Sequence, residues 1–337
     1  MTDEERKTIH EKACMWFKEA QFGGMAHFGL YSLLACEWNN QRPWMPYSEW
    51  IQSHMYIPHK EYARLAEAFN PIFFDADEWI MRVRDAGMKY FVFTSKHHDG
   101  FAMYHSRASA YNVVDATPFK RDIVGELAEA CRKHGVKLGL YYSQDYDWAD
   151  PDGGGYKTID KDHSYMGHLR DCSNHWDWPD RDKKDYARYF ERKVKPQVEE
   201  ILTQYGDLCL VWFDVPTTIN AAQSQELRAL VKKLQPGCLI NSRIGNGFGD
   251  YDASGDNAAP TKKATGLAEM CCSMNESWGY SPMDRTFKTV QQVLDLKKKC
   301  RDLNWNYLLN FGPDGLGRIP VDSLQILEGL AKAKLPR

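Results

Sequence analysis

KYFVFTS at residues 89–95 and RDIVGELAEACRKHGVKLGLYYS at 121–143 read as a strand, then a helix and a second strand. The strands are almost continuously apolar, as expected of a parallel sheet covered by helices. The helix stops at Gly135. Upstream, 75–87 (DADEWIMRVRDAG) starts with an Asp cap and acids in its first turn, and stops at Gly87. The segment 59–70 has helical spacing of Tyr62, Leu65, Ala66 and Phe69 and ends before Pro71. A helix over 3–20 leads into a short apolar strand, GGMAHFGLYS, carrying His27. Downstream, a long helix over about 181–204 delivers the chain to DLCLVWFDVP at 207–216. A helix (222–234), the strand GCLINSR, the strand GLAEMCCSM, a helix (287–301), the strand NWNYLLN and a last helix (320–334) follow. Alternation over the whole length without a linker predicts an α/β fold: one irregular (β/α)8 TIM-like barrel domain over 1–337. Seven strands are legible, so one of the eight is irregular or hidden. The segments 145–180 and 244–265 lack periodicity and are expected to be long active-site loops.

Composition narrows the function. Lys and Arg total 43 against 46 Asp and Glu, a net charge of −3 that argues against nucleic-acid binding. Nine cysteines without a CxxC pair point to reduced thiols and a cytoplasmic protein. The charged N-terminus lacks the apolar centre of a signal peptide, and no apolar run approaches the ~20 residues that span a bilayer. Eleven Trp, 18 Tyr and 15 Phe could supply sugar-stacking surfaces as well as core.

In a barrel of this kind the active site lies at the C-terminal strand ends. Those ends carry His27; His97, His98 and Asp99; Tyr142 and Asp145; Trp212 and Asp214; Arg243, with Asp252 and Asp256 beyond; Asn275, Glu276 and Trp278; and Asn310. Each has a plainer reading: Asp214 as a turn or cap residue, Arg243 as a partner of a structural acid, the histidines as hydrogen-bonding loop residues. Together they crowd one rim. Metal-assisted hydrolysis would draw on the histidines, yet His97 and His98 are adjacent and point to opposite faces unless the strand is ending. Phosphate chemistry lacks a suitable Gly-rich loop, PDGLG at 313–317 being the nearest string. Glycoside hydrolysis, with two carboxylates and aromatic platforms, fits the rim best.

The chain resembles the bacterial-type α-L-fucosidases of glycoside hydrolase family 29 from about residue 17 to 330. IFFDADEWIMRVRDAGMKYFVFTSKHHDGF at 72–101 is the strongest string. HFGLYS, CEW at 36–38, KRDIVGEL, GVKLGLYYS, VWFD, NSRIG, SWGY at 277–280 and LLNFGPDGLGRIP follow the family in order. The resemblance implies the catalytic barrel alone, without the C-terminal β-sandwich of many members. It makes Asp214 the nucleophile, and Asp256, 42 residues on, the acid/base, with Asp252 and Glu269 as runners-up. The fucose pocket becomes His27, Glu37, Trp38, His97, His98, Tyr142, Trp212, Arg243 and Trp278. Glu-Trp recurs at Glu49–Trp50; the pair at 37–38 is preferred because it follows the first strand. Val215 departs from the Gly often seen after the nucleophile. The implied activity is retaining exo-hydrolysis of α-linked L-fucose from a small fucosylated oligosaccharide or glycoconjugate, with transfucosylation open, no metal or other cofactor, no membrane partner and a possible homo-oligomer. A galactoside-type retaining glycosidase and a catalytically silent sugar-binding barrel are the rival readings.

Overall fold

The computed structural model describes residues 1–156 and 173–333. Among them, eight strands form one parallel sheet: β1 (Phe22–Ala26), β2 (Tyr90–Lys96), β3 (Lys137–Tyr142), β4 (Leu210–Phe213), β5 (Leu239–Ile240), β6 (Asp252–Ala253), β7 (Ala268–Ser273) and β8 (Asn306–Phe311). Their order is β5-β4-β3-β2-β1-β8-β7-β6. The outermost strands, β5 and β6, meet through a single bridge between Asn241 and Tyr251. The N–H groups of Asp250 and Tyr251 add bonds to the Ile240 carbonyl. The ring is therefore laddered on seven sides and only pinned on the eighth.

The helices of ten or more residues are α1 (Asp3–Ala20), α2 (Ala76–Asp85), α3 (Ile123–His134), α4 (Lys195–Gln204), α5 (Ala221–Leu234), α6 (Val290–Asp302) and α7 (Val321–Lys332). Their starts are chemically marked. Asp75 and Asp122 accept N–H bonds from Glu78 and Gly125, and Asn220/Gln223 and Thr289/Gln292 form reciprocal capping boxes. Gly135, at φ +67°, closes α3 in the left-handed region.

Three expectations change. The helix expected over 59–70 is two short turns, His59–Tyr62 and Leu65–Ala68. Bonds of three-residue span, such as Ala66 N–H to the Ala63 carbonyl, tighten it there while Tyr62, Ala66 and Phe69 stay buried. The continuous helix expected over 181–204 is broken into a 3₁₀ turn, a short helix, a π turn (Phe190–Val194) and α4. Pro196, in the first turn of α4, has no N–H to give to the preceding turn. The hidden strand is β6, two residues inside the loop expected over 244–265. Its neighbour β5 is also two residues long. The Asn241 side chain bonds both the N–H and the C=O of Phe213 at 2.9 Å, taking over the ladder where the strand would continue. Of the loop expected over 145–180, residues 157–172 lie outside the described residues, as does residue 334 of the last expected helix.

Strand parity separates two cores. Met25, Tyr90, Val92, Tyr141, Leu210, Trp212, Leu239, Cys271 and Leu308 fill the barrel interior. Phe91, Phe93, Leu138, Leu140, Tyr142, Val211 and Phe213 face the helices. Gly23 makes room inside: a Cβ there would come within 2.4 Å of the Tyr90 ring. The loop after β3 is held ionically. Asp147, fully buried, lies 3.2 Å from Lys96 Nζ and 2.7 Å from Lys193 Nζ. Arg188 grips Asp152 at 2.8 Å, and Arg192 grips Asp150. No helix among the described residues is long and apolar enough to cross a membrane.

Candidate active site

Leu210 and Trp212 point into the barrel, so Asp214 inherits inward parity just as β4 ends. The chain then turns sharply. Val215 lies at φ +42°, the left-handed region that a β-branched residue seldom enters. Such strain costs on the order of 1–3 kcal/mol and persists only where the surroundings enforce it. They do so here. The buried Asp145 carboxylate accepts the N–H groups of Thr218 (2.6 Å) and Ile219 (2.9 Å). Gly245 lies against Pro216, where a Cβ would be 2.7 Å from the ring. In return Val215 N–H donates to Asp214 Oδ1 at 3.0 Å.

Asp214 is fixed from several sides. Arg243 Nη1 donates to Oδ1 at 2.8 Å and the Tyr141 hydroxyl to Oδ2 at 2.9 Å. Gln144 accepts the Asp214 N–H and donates to the Arg243 carbonyl, each at 2.9 Å. The other arm of Arg243 reaches Asp256 Oδ1 at 2.5 Å and the Ser254 carbonyl at 2.7 Å. One guanidinium, lying 4.6 Å over the Trp212 ring, thus stands between two carboxylates. Their environments differ: the Asp214 side chain is 13% exposed and that of Asp256 is 29%. The inner acid suits attack on a buried carbon, and the outer one suits proton exchange with a leaving group and water.

The floor and walls are aromatic. Trp212 Nε1 donates to Glu269 Oε1 at 2.9 Å, and the Tyr90 hydroxyl to Oε2 at 2.6 Å. Burial pushes the Glu269 carboxyl up to about 7. Tyr141 stacks on Trp212 (5.6 Å) and on His97 (5.3 Å). The histidines are neutral, because burial pulls His27 down to about 4 and holds His97 and His98 well below the usual imidazole range. Their tautomers follow from their neighbours. Asn310 Nδ2 is spent on the Trp278 carbonyl (2.8 Å), so its oxygen faces His27 Nδ1 at 2.8 Å and His27 Nε2 is the bare nitrogen. The Ser143 hydroxyl donates to the Tyr146 carbonyl and accepts from His98 Nδ1 at 2.7 Å. His98 Nε2 is therefore also bare, and its 3.9 Å approach to Asp214 is no ion pair. His97 Nδ1 and His98 Nε2 are buried with no hydrogen-bond partner among the described residues. A polyol has hydroxyls for such atoms.

An inner cavity of about 30 Å³ is lined by His27, His97, Trp212, Asp214, Arg243, Asp256 and Trp278, along with Met25, Glu49, Trp50 and Tyr141. It shares Glu49, Trp50, Asp214, Arg243, Asp256 and Trp278 with an outer cavity of about 190 Å³ that adds Tyr47 and Val215. His97 lines the inner cavity, while His98 lines neither cavity and sits behind the inner one; the β2–β3 register shifts between Thr94 and Lys96 as the strand ends. Their rings are 4.1 Å apart.

Five of the expected residues lie elsewhere. Glu37 pairs with Arg42 at 3.3 Å on the surface, and Trp38 turns back to bridge Gln41. The second Glu-Trp pair takes their place: buried Glu49 accepts the Gly279 N–H at 2.8 Å, and its carboxyl is pushed up to about 7 by burial. Tyr142 faces the helices and bonds Gln197; parity gives the pocket to Tyr141. Asp252 is exposed on β6. Glu269 sits beneath Trp212, screened from the cavity. Sequence reasoning also misses Gln144, although it stands one residue before Asp145 at a strand end marked by polar residues. A larger cavity of about 390 Å³, between the loops after β7 and β8 and the start of α7, contains neither Asp214 nor Asp256. Convergent charge rather than volume locates the site. Among the described residues, no three His, Cys, Asp or Glu are grouped to hold a metal ion.

The family model described as Alpha-L-fucosidase matches residues 2–332. The tissue α-L-fucosidase of Mus musculus is 30% identical over 325 residues, covering 89% of this chain and 65% of that protein. The human counterpart is 29% identical and is covered to 63%. The chain thus spans a little under two thirds of the curated relatives it matches. Among solved structures, the α-L-fucosidase AlfC from Lactobacillus casei, in complex with α-L-fucose product, is 50% identical with a TM-score of 0.90, covering 95% of this chain and 97% of that one. The α-L-fucosidase of Vibrio sp. strain EJY3 is 34% identical with a TM-score of 0.88, covering 97% of this chain and 56% of that one.

Proposed function

The chain belongs to the α-L-fucosidase family, and from that premise we propose that it hydrolyses terminal α-linked L-fucose from small fucosylated glycans with retention of configuration. The observation that carries this reading is the single Arg243 guanidinium shared by Asp214 and Asp256 above Trp212. Two carboxylates are what glycosidic cleavage requires, and retention further asks the inner one to attack the anomeric carbon itself.

The steps follow from the positions. Asp214 Oδ2 attacks the anomeric carbon as the glycosidic C–O bond breaks. Asp256 gives its proton to the departing oxygen. Asp256 then takes a proton from water, whose oxygen attacks the same carbon and releases Asp214. The bare nitrogen of His27 accepts a hydrogen bond from a sugar hydroxyl. Trp212, Trp278 and Tyr141 cover the apolar face of the ring and its methyl group, whose burial contributes only ~1–3 kcal/mol of discrimination. Polar contacts to the hydroxyls must supply the rest of the selectivity.

A point mutant of AlfC, 49% identical to this chain, has also been solved in complex with Fucα(1,6)GlcNAc. That disaccharide is the first substrate to test, with 4-nitrophenyl α-L-fucoside beside it. The product followed by NMR from the first turnover should be the α-anomer. A β-anomer first would replace retention with inversion, and turnover of the galactoside but not the fucoside would replace the sugar. Two AlfC variants are described as fucosyltransferase mutants, so transfer to an added alcohol belongs in the same experiment. Nine cysteines without a CxxC pair suit a reducing compartment, and the cytoplasm is the proposed place of action.

The two Glu-Trp pairs give a direct contrast. Glu49→Gln should lower kcat/KM on the fucoside by about tenfold to a hundredfold, the loss of a charge-assisted contact. Glu37→Gln should leave kcat/KM within about twofold, as expected of an exposed pair. A loss from Glu37→Gln larger than that from Glu49→Gln would return the pocket to the 37–38 pair.

A further inference from the structure

We propose that Val215 sets the size of the leaving group, its strained backbone serving to turn the isopropyl group into the outer cavity. This rests on the fucosidase reading and extends it to the other side of the scissile bond. Val215 directly follows Asp214, lies at φ +42° and lines the outer cavity of about 190 Å³ but not the inner one. Its side chain packs against the cluster of Trp50, Tyr146 and Trp148. A glycine would take this φ without strain, and the same turn could be made more cheaply. What valine adds is volume in the cavity where the departing group must sit. The inner cavity, with the histidines and Trp212, does not feel that volume.

Neighbouring contacts separate the wall from the turn. Asp145, Gly245 and Pro216 hold the turn from behind, through the 216–219 backbone and ring, none of them through the valine side chain. Trimming the side chain therefore enlarges the outer cavity while those holds remain. Tyr47 and Trp50, which also line the outer cavity, present ring surfaces there, so with Val215 in place the cavity admits a single six-membered ring and resists a leaving group that is branched next to the linkage.

The test uses Val215→Ala, which keeps the strain and trims the volume, and Val215→Gly, which removes both. The substrates are α-L-fucosyl fluoride, whose leaving group has almost no bulk, Fucα(1,6)GlcNAc, and the same fucose linked to a GlcNAc carrying a further sugar beside the linkage. The readout is the ratio of kcat/KM on the branched substrate to that on the fluoride. Both variants should raise this ratio by about tenfold or more over the wild type, within the range that steric contacts in a pocket provide. A ratio unchanged in both variants overturns the inference. A rise with glycine alone also overturns it, because the effect would then belong to the backbone. Should Val215→Gly fail to fold, the alanine ratio decides alone. Wild-type protein inert on all three substrates, yet folded, would overturn the fucosidase reading itself.

Discussion

Asp214→Gly is expected to lose about ten-thousandfold or more in kcat on 4-nitrophenyl α-L-fucoside, as removal of a covalent nucleophile does. Glycine is the right replacement because it vacates the carboxylate volume beside Arg243 Nη1 and the Tyr141 hydroxyl. Azide, a small anion, can enter that space and is attracted by the same guanidinium. It should restore turnover and yield β-L-fucosyl azide, because a single displacement from the Asp214 side inverts the anomeric centre. The outcome is read by rate and by product NMR. Near-normal activity without azide would remove Asp214 from the nucleophile's role. Strong azide rescue giving the α-azide would place the attack on the other face.

Asp256→Ala should behave differently. General acid catalysis contributes about 10²–10⁴-fold, and its value depends on how poorly the leaving group departs unaided. Fucα(1,6)GlcNAc should lose that full factor in kcat/KM. The nitrophenyl fucoside, whose phenolate leaves without a proton, should lose far less in its first step. Its second step still lacks a base, so the fucosyl-enzyme should accumulate and be visible as a mass increment on the protein. Added azide, which needs no base, should clear the intermediate as the α-azide. Equal losses on both substrates, with no accumulating adduct, would take the acid/base role from Asp256. Arg243 is deliberately spared in both experiments. It touches both carboxylates, so its removal could not separate them.

Much of the barrel and part of its rim are legible in the amino-acid order, for physical reasons that differ along the chain. Strands β2, β3 and β4 are apolar and end in polar residues, so periodicity alone places Asp214, His97 and His98. Parity is also available in principle. Leu210, Trp212 and Asp214 are two residues apart, and the same count on β3 chooses Tyr141 over Tyr142. The Glu49–Trp50 pair is not legible, because it reaches the pocket through irregular turns that carry no period. Its twin at 37–38 stands nearer to β1 in sequence, and that order favours the wrong pair. β6 leaves no trace at all, since two residues, one of them an exposed Asp, cannot make a hydrophobic pattern. Gln144 is hidden for another reason. Its function lies in bonding the backbones of Asp214 and Arg243, and only the folded chain brings those together.

The seam between β5 and β6 has a consequence for how such a barrel can change over generations. Asp214 hangs from a strand laddered on both sides, so an insertion near it would shift a whole register. Asp256 stands beyond the pinned edge, tied across it by the Arg243 side chain rather than by a run of backbone bonds. The stretch from 244 to 250 between them is held by buried Asp250, which pairs with Arg228 and Lys232 at 2.7 Å, so any change of length there must leave that carboxylate in place. One of the two candidate carboxylates is anchored in a strand of the frame, while the other is moored to it across the seam by one side chain and held from behind by the bonds of Ser254 and Asn257 to β7.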